Sequence, residues 1–120
     1  VIKDKSKNII NDKKIDSFIL RKQVLIDFPP KELRNIVDKS KQDIKEGVVV
    51  SFSTFGDKVG VAIGLTKELT KKYDAVKLVK IASEILGGKG GGGRKDFAQA
   101  GGVDKSKIEE AFATLSKVFN

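Results

Sequence analysis

Two apolar runs, VVVSFSTF over 48–55 and KVGVAIGL over 58–65, are separated only by Gly56 and Asp57. So short a connection predicts an antiparallel hairpin, with glycine first as a type II′ turn requires. In the second run Val59, Val61, Ile63 and Leu65 share one face. Gly60, Ala62 and Gly64 leave the other face nearly bare, and small residues there admit a helix or another backbone at close range. Any fold for this chain is built around that pair of strands.

The flanking segments supply the rest of a sheet and its cover. Phe18 to Ile26 alternates, with Phe18, Leu20, Val24 and Ile26 on one side and Arg21, Gln23 and Asp27 among the residues on the other. That pattern predicts a half-buried strand, ended by Pro29 and Pro30. Leu33, Ile36, Val37 and Ile44 recur at helical spacing up to Gly47, interrupted by Ser40 and Lys41. The polar stretch Thr66 to Tyr73 reads as a short helical turn, and Asp74 as the N-cap of a longer helix burying Ala75, Leu78, Val79, Ala82 and Ile85 or Leu86. Gly87 and Gly88 end it. A last helix starts at Asp104 or at the Ser106-x-x-Glu109 capping box, with Ile108, Ala111, Phe112, Leu115 and Phe119 as its apolar stripe.

Residues 1–16 are rich in Lys, Asp and Asn and offer only Val1, Ile2, Ile9, Ile10 and Ile15 for burial, so they are expected to be a linker or the end of a connecting helix. The expected architecture is a single globular domain over 17–120 preceded by that helical or flexible segment. Its class is α/β, with α+β left open: one mixed sheet with helices packed against it.

Composition removes whole classes of function. The 120 residues include no Cys, His, Met or Trp. A disulfide framework, a thiolate or imidazole metal site, and Ser-His-Asp or Cys-His catalysis are therefore excluded, and no catalytic residue, metal ligand or cofactor site is nominated. No run approaches the ~18 apolar residues of a membrane helix, and lysines occupy the positions where a signal peptide would be apolar, so a cytoplasmic setting is expected. A chain that begins at Val1 and lacks Met is expected to be a piece of a longer one. Lys and Arg total 24 against 16 Asp and Glu, a net charge of +8, which favours a polyanionic partner.

Chemistry concentrates in one place. Eight of the twelve glycines lie between Gly87 and Gly102, in GGKGGGGRKDFAQAGG, and from Gly87 to Lys95 the cations Lys89, Arg94 and Lys95 have no acidic residue among them. Without Cβ atoms such a segment can turn its N–H groups toward an anion and let a phosphate or sugar come against the backbone. The segment satisfies GxGxxG, but it follows a helix where a dinucleotide site follows a strand, and no Ser or Thr completes a Walker A pattern. A plain flexible linker is the competing reading. Against it stands the apolar tail Phe97–Gly102, which suits a short strand or a tucked turn.

The segment GGKGGGGRKDFAQAGG followed by Val103-Asp104 resembles the glycine-rich signature near the C-terminus of alanyl-tRNA synthetases. The order of elements around it is similar too, and the resemblance covers roughly residues 18–120. Related domains accompany the DHH phosphoesterases. The positions that match are Gly88, Lys89, Gly90, Gly91, Gly92, Gly93, Arg94, Asp96, Gln99, Gly101 and Gly102, whereas Lys95 stands where Pro is common and Phe97 where Met is usual. Both departures keep or increase the positive charge.

The resemblance implies a non-catalytic module that contacts the outer corner, or elbow, of tRNA, alanine tRNA in the first instance, and so assists aminoacylation and editing by a parent enzyme. ATP and zinc are implied only for other parts of that parent, whose remaining domains are further partners. The binding set would be the matched residues together with Lys95, with Lys89, Arg94 and Lys95 on phosphates. Tyr73, Phe97 and Phe55 are candidates for stacking on a base, although core packing competes for each. From a different class, the domain is read as a self-association module forming a homodimer, with its charge only keeping it in solution. A third reading is the substrate-binding half of a DHH-type phosphoesterase.

Overall fold

A computed structural model describes residues 8–15, 18–28, 30–88 and 90–119. Six strands form one sheet in the order β1-β2-β3-β4-β6-β5. They are β1 (Asn8–Ile15), β2 (Phe18–Ile26), β3 (Gly47–Phe55), β4 (Lys58–Leu65), β5 (Gly90–Gly93) and β6 (Phe97–Gly102). The helices are α1 (Leu33–Ile44), α2 (Ala75–Ile85) and α3 (Ile108–Phe119). Only β2 and β3 are parallel, joined by the crossover through α1; every other neighbouring pair is antiparallel. The result is the mixed α/β sheet the sequence implies.

The β3–β4 hairpin turns at Gly56, φ 63°, while Asp57 keeps an ordinary negative φ, as a type II′ turn requires. Both strands are covered on both faces. Val48, Val50, Phe52, Val59, Val61, Ile63 and Leu65 join the larger core with α2 and α3. Val49 and Ala62 join a smaller core with Leu33, Val37 and Ile44 of α1. The bare side of β4 is where α1 seats: a methyl group added at Gly64 would overlap Val37 Cγ1.

β2 differs from the expectation of a half-buried strand. Leu25 and Gln23, on the side read as polar, are buried under α1, and Ile26 is 41% exposed. The buried amide is accommodated because Ser40 Oγ and Ser51 Oγ both donate to Gln23 Oε1, at 2.9 and 3.0 Å. Ser40 thus interrupts the apolar stripe of α1 without breaking it.

The N-terminal segment requires a correction. Residues 8–15 are a strand, not a linker or a helix end, and pair along their whole length with β2. Arg21 Nε and Nη2 donate to the two carboxylate oxygens of Asp12 at 2.8 and 3.0 Å, a bidentate bond across the pair. Residues 1–7 lie outside the described residues. As an outer strand β1 needs few apolar groups, and its lysines blunt an exposed sheet edge.

Candidate nucleic-acid interface

The glycine-rich segment is a hairpin at the opposite edge of the sheet. β6 pairs with β4 on one side and β5 on the other, in the register Gly90↔Gly101, Gly91↔Ala100, Gly92↔Gln99 and Gly93↔Ala98. Ala98 and Ala100 enter the core under α2, so Phe97 and Gln99 face the α1 side. The glycines are not equivalent. A Cβ at Gly91 would strike Gln99 O and sit 2.6 Å from Ala100 Cβ, whereas one at Gly92 would meet nothing within 4 Å. The backbone at Gly92 is therefore open to an incoming group, and Gly91 is required by packing.

Arg94 and Phe97 close the hairpin, Arg94 N donating to Phe97 O at 2.7 Å, with Lys95 and Asp96 as the two turn residues. Their carbonyls point inward. Lys95 O accepts Ala75 N at 3.0 Å and Asp96 O accepts Leu65 N at 2.8 Å, fastening the tip to the start of α2 and the end of β4. Asp96 also lies 3.9 Å from Lys41 Nζ. With the tip held in this way, the exposed Arg94 and Lys95 side chains face solvent.

The sequence-predicted residues separate into two groups. Gly91, Gly92, Gly93, Arg94, Lys95, Asp96 and Gln99 come together at the tip and outer strand. Gly101 and Gly102 stand at the far end of β6, roughly 13 and 17 Å from Phe97 at the rise of a β-strand. There Gly88 packs against Gly101 and Gly102 against Leu86, and Ser83 Oγ donates to Gly101 O at 2.7 Å. Lys89 lies outside the described residues; Gly90 is described as the first residue of β5. Of the aromatic candidates, Tyr73 packs edge-on against Phe119 with ring centroids 4.7 Å apart. Phe55 is 51% exposed at the distant β3–β4 hairpin, and the Phe97 ring lies beneath the Arg34 guanidinium at 5.6 Å.

The tip divides two clefts. On the α1 side a cleft of about 270 Å³ is lined by Arg34, Asp38, Gly92, Gly93, Phe97 and Gln99 among others. On the α2 side a wider one of about 480 Å³ is formed by Leu65, Lys67, Thr70, Arg94, Lys95 and Asp96. It shares Thr70 and Lys95 with a groove of about 190 Å³ that carries Lys71, Lys72 and Lys77. Neither these lysines nor Arg34 stand out in the sequence. Lys67 to Lys77 reads as an ordinary polar turn and helix face, and nothing local shows that it lies beside residues 94–95.

Residues 17–120 match the model of the DHHA1 domain family, and the chain belongs to that family. Over 85 residues it is 58% identical to the alanine-tRNA ligase of Hyphomonas neptunium, a match covering 71% of this chain and 10% of that protein. Over 88 residues it is 50% identical to that of Bradyrhizobium diazoefficiens, covering 72% and 10%. The chain thus spans about a tenth of the length of these curated relatives. The C-Ala domain of Aquifex aeolicus alanyl-tRNA synthetase superposes with a TM-score of 0.84 at 36% identity, over 91% of this chain and 97% of that one. Within the family, then, this is a C-Ala domain of the alanyl-tRNA synthetase type. A DHH domain from a protein placed in a family of ribosomal proteins shares the fold at 18% identity, with a TM-score of 0.57 over 91% of this chain and 27% of that one.

Proposed function

We propose that the domain binds folded tRNA at the outer corner of the L, through backbone and phosphate contacts, and so positions one tRNA for a parent alanyl-tRNA synthetase. The observation that carries this reading is the hairpin itself. An open glycine backbone at Gly92 lies beside Arg94 and Lys95, whose side chains are exposed and have no carboxylate within ion-pair distance among the described residues. Glycine lets a sugar or phosphate approach the main chain, and the two cations supply charge that any phosphodiester feels. Recognition of this kind reads shape, which suits a folded RNA corner. The ligation and editing chemistry would belong to the other domains of the parent, since this chain carries no His or Cys to supply imidazole or thiolate ligands for zinc.

The test compares the domain's affinity for an intact tRNA and for an acceptor-stem minihelix lacking the corner, each at low and moderate salt. The intact tRNA is expected to bind better at both salts, and Arg94→Gln with Lys95→Gln to weaken it without unfolding the domain. Equal binding of the two RNAs, abolished together on adding salt, would sink the reading.

A further inference from the structure

Beside the hairpin, the α2-side cleft and its neighbouring groove gather cations from three separate stretches of chain. Lys67, Lys71 and Lys72 come from the turn after β4, Lys77 from α2, and Arg94 and Lys95 from the hairpin tip. Three carboxylates occur in the same stretches, and each is engaged. Glu68 lies 3.5 Å from Lys71. Asp74 Oδ1 accepts Val76 N at 3.0 Å. Asp96 reaches across the tip toward Lys41. Among the described residues no carboxylate comes within ion-pair distance of Lys67, Lys72 or Lys77, as for Arg94 and Lys95.

We infer that this lysine groove is a second RNA-backbone track, continuing from the hairpin tip across the turn at 67–72 to the first turns of α2. The inference rests on the tRNA reading above and adds the path that the strand takes. The form of the groove favours a polynucleotide backbone over a single phosphate. The first two main-chain amides of α2 are already used, Ala75 N by Lys95 O and Val76 N by Asp74, so little of the helix N-terminus is left to cradle a discrete anion. What remains are lysine ammonium groups on flexible stems, which act as point charges along a path. Continuity supplies the rest: Arg94 and Lys95, which follow closely on Gly92 in the hairpin, also wall the larger cleft, and Lys95 walls both.

The experiment is tRNA binding by the whole domain as a function of salt. Lys67→Gln, Lys72→Gln and Lys77→Gln are combined, and compared with a control that removes the same charge elsewhere: Lys13→Gln, Lys58→Gln and Lys105→Gln. All six side chains are exposed. Each phosphate that is no longer neutralised should flatten the slope of log K against log salt by about 0.7–0.9. The groove variant is thus expected to reduce the slope by roughly two units and low-salt affinity by about tenfold or more, and the control to do markedly less. If groove and control variants behave alike while Arg94→Gln with Lys95→Gln weakens binding, the track is overturned and the hairpin reading stands. If the hairpin variant also matches the control, both fall.

Discussion

The carbonyl oxygen of Lys95 accepts the backbone N–H of Ala75 at 3.0 Å, so the turn of the glycine hairpin is joined to the first residue of α2. Asp74 caps the same helix through Val76 N. Removal of the cap should therefore be felt at the hairpin tip. Asp74→Ala is expected to destabilise the domain by about 0.5–2 kcal/mol, to speed hydrogen exchange at Ala75, and to weaken tRNA binding. Asp74→Asn retains a capping oxygen and should restore the first two. Unchanged exchange at Ala75 in the alanine variant would show that the tip is held by other means.

Gly91 and Gly92 offer a contrast within one strand. Gly91→Ala forces a methyl group into Gln99 O and Ala100, and overpacking of this kind costs about 1–3 kcal/mol. Gly92→Ala enters open space and should change stability by less than about 0.5 kcal/mol. Its effect belongs to binding: a methyl group between RNA and the main chain should lower tRNA affinity several-fold with an unchanged salt slope. Full affinity in Gly92→Ala would mean that RNA does not approach the backbone there.

Gln23 is buried between β3 and α1 with two hydroxyls donating to one oxygen. Gln23→Leu removes that acceptor, and the cost should be roughly 1–3 kcal/mol for each hydroxyl left without a partner. Adding Ser40→Ala and Ser51→Ala should recover most of it in chemical denaturation. Two residues along β3, Ser53 Oγ is buried with no hydrogen-bond partner among the described residues, so Ser53→Ala should be neutral or stabilising. A large drop in stability there would reveal a partner for that hydroxyl.

At the entrance to α3 the Asp104 carboxylate accepts Ser106 N at 3.1 Å and the Ser106 hydroxyl. The hydrogen bond from the Ser106 side chain, together with its backbone N–H and nearby Lys107, holds the Asp104 carboxyl below its ordinary value of 3.8. A depressed carboxylate contributes stability that is present above its unfolded pKa and lost as the pH falls through the folded one. The contribution should thus fade only below about pH 4. Carbon-detected titration by NMR should find Asp104 below the usual range, and Ser106→Ala should raise it. An unmoved Asp104 in that variant would assign the effect elsewhere.

Features that repeat at a local period are legible in the sequence. The stripe Ala75, Leu78, Val79 and Ala82, the cap at Asp74 and the Gly56-Asp57 turn are all where the pattern puts them. The alternation in Phe18–Ile26 locates β2 but not the burial of Gln23 and Leu25, because α1 covers the face that carries them. β1 leaves no such trace, since an edge strand held by Asp12 and Arg21 needs no apolar alternation. β5 reads as loop because four glycines carry no strand preference; β6 supplies the hydrogen bonds that make it a strand. The lysines at 67–77 join Lys95 only through the tertiary fold, and no local pattern encodes that.

The two inward carbonyls at the hairpin tip bear on the thermodynamics of association. Fixing a residue's backbone costs about 1–2 kcal/mol, and more for glycine, so a floppy glycine loop would surrender much of its contact energy to becoming ordered. Here Leu65 and Ala75 hold the tip before any partner arrives. Binding should therefore carry little conformational-entropy penalty from the protein, and docking should proceed close to rigidly, with the RNA making whatever adjustment is needed.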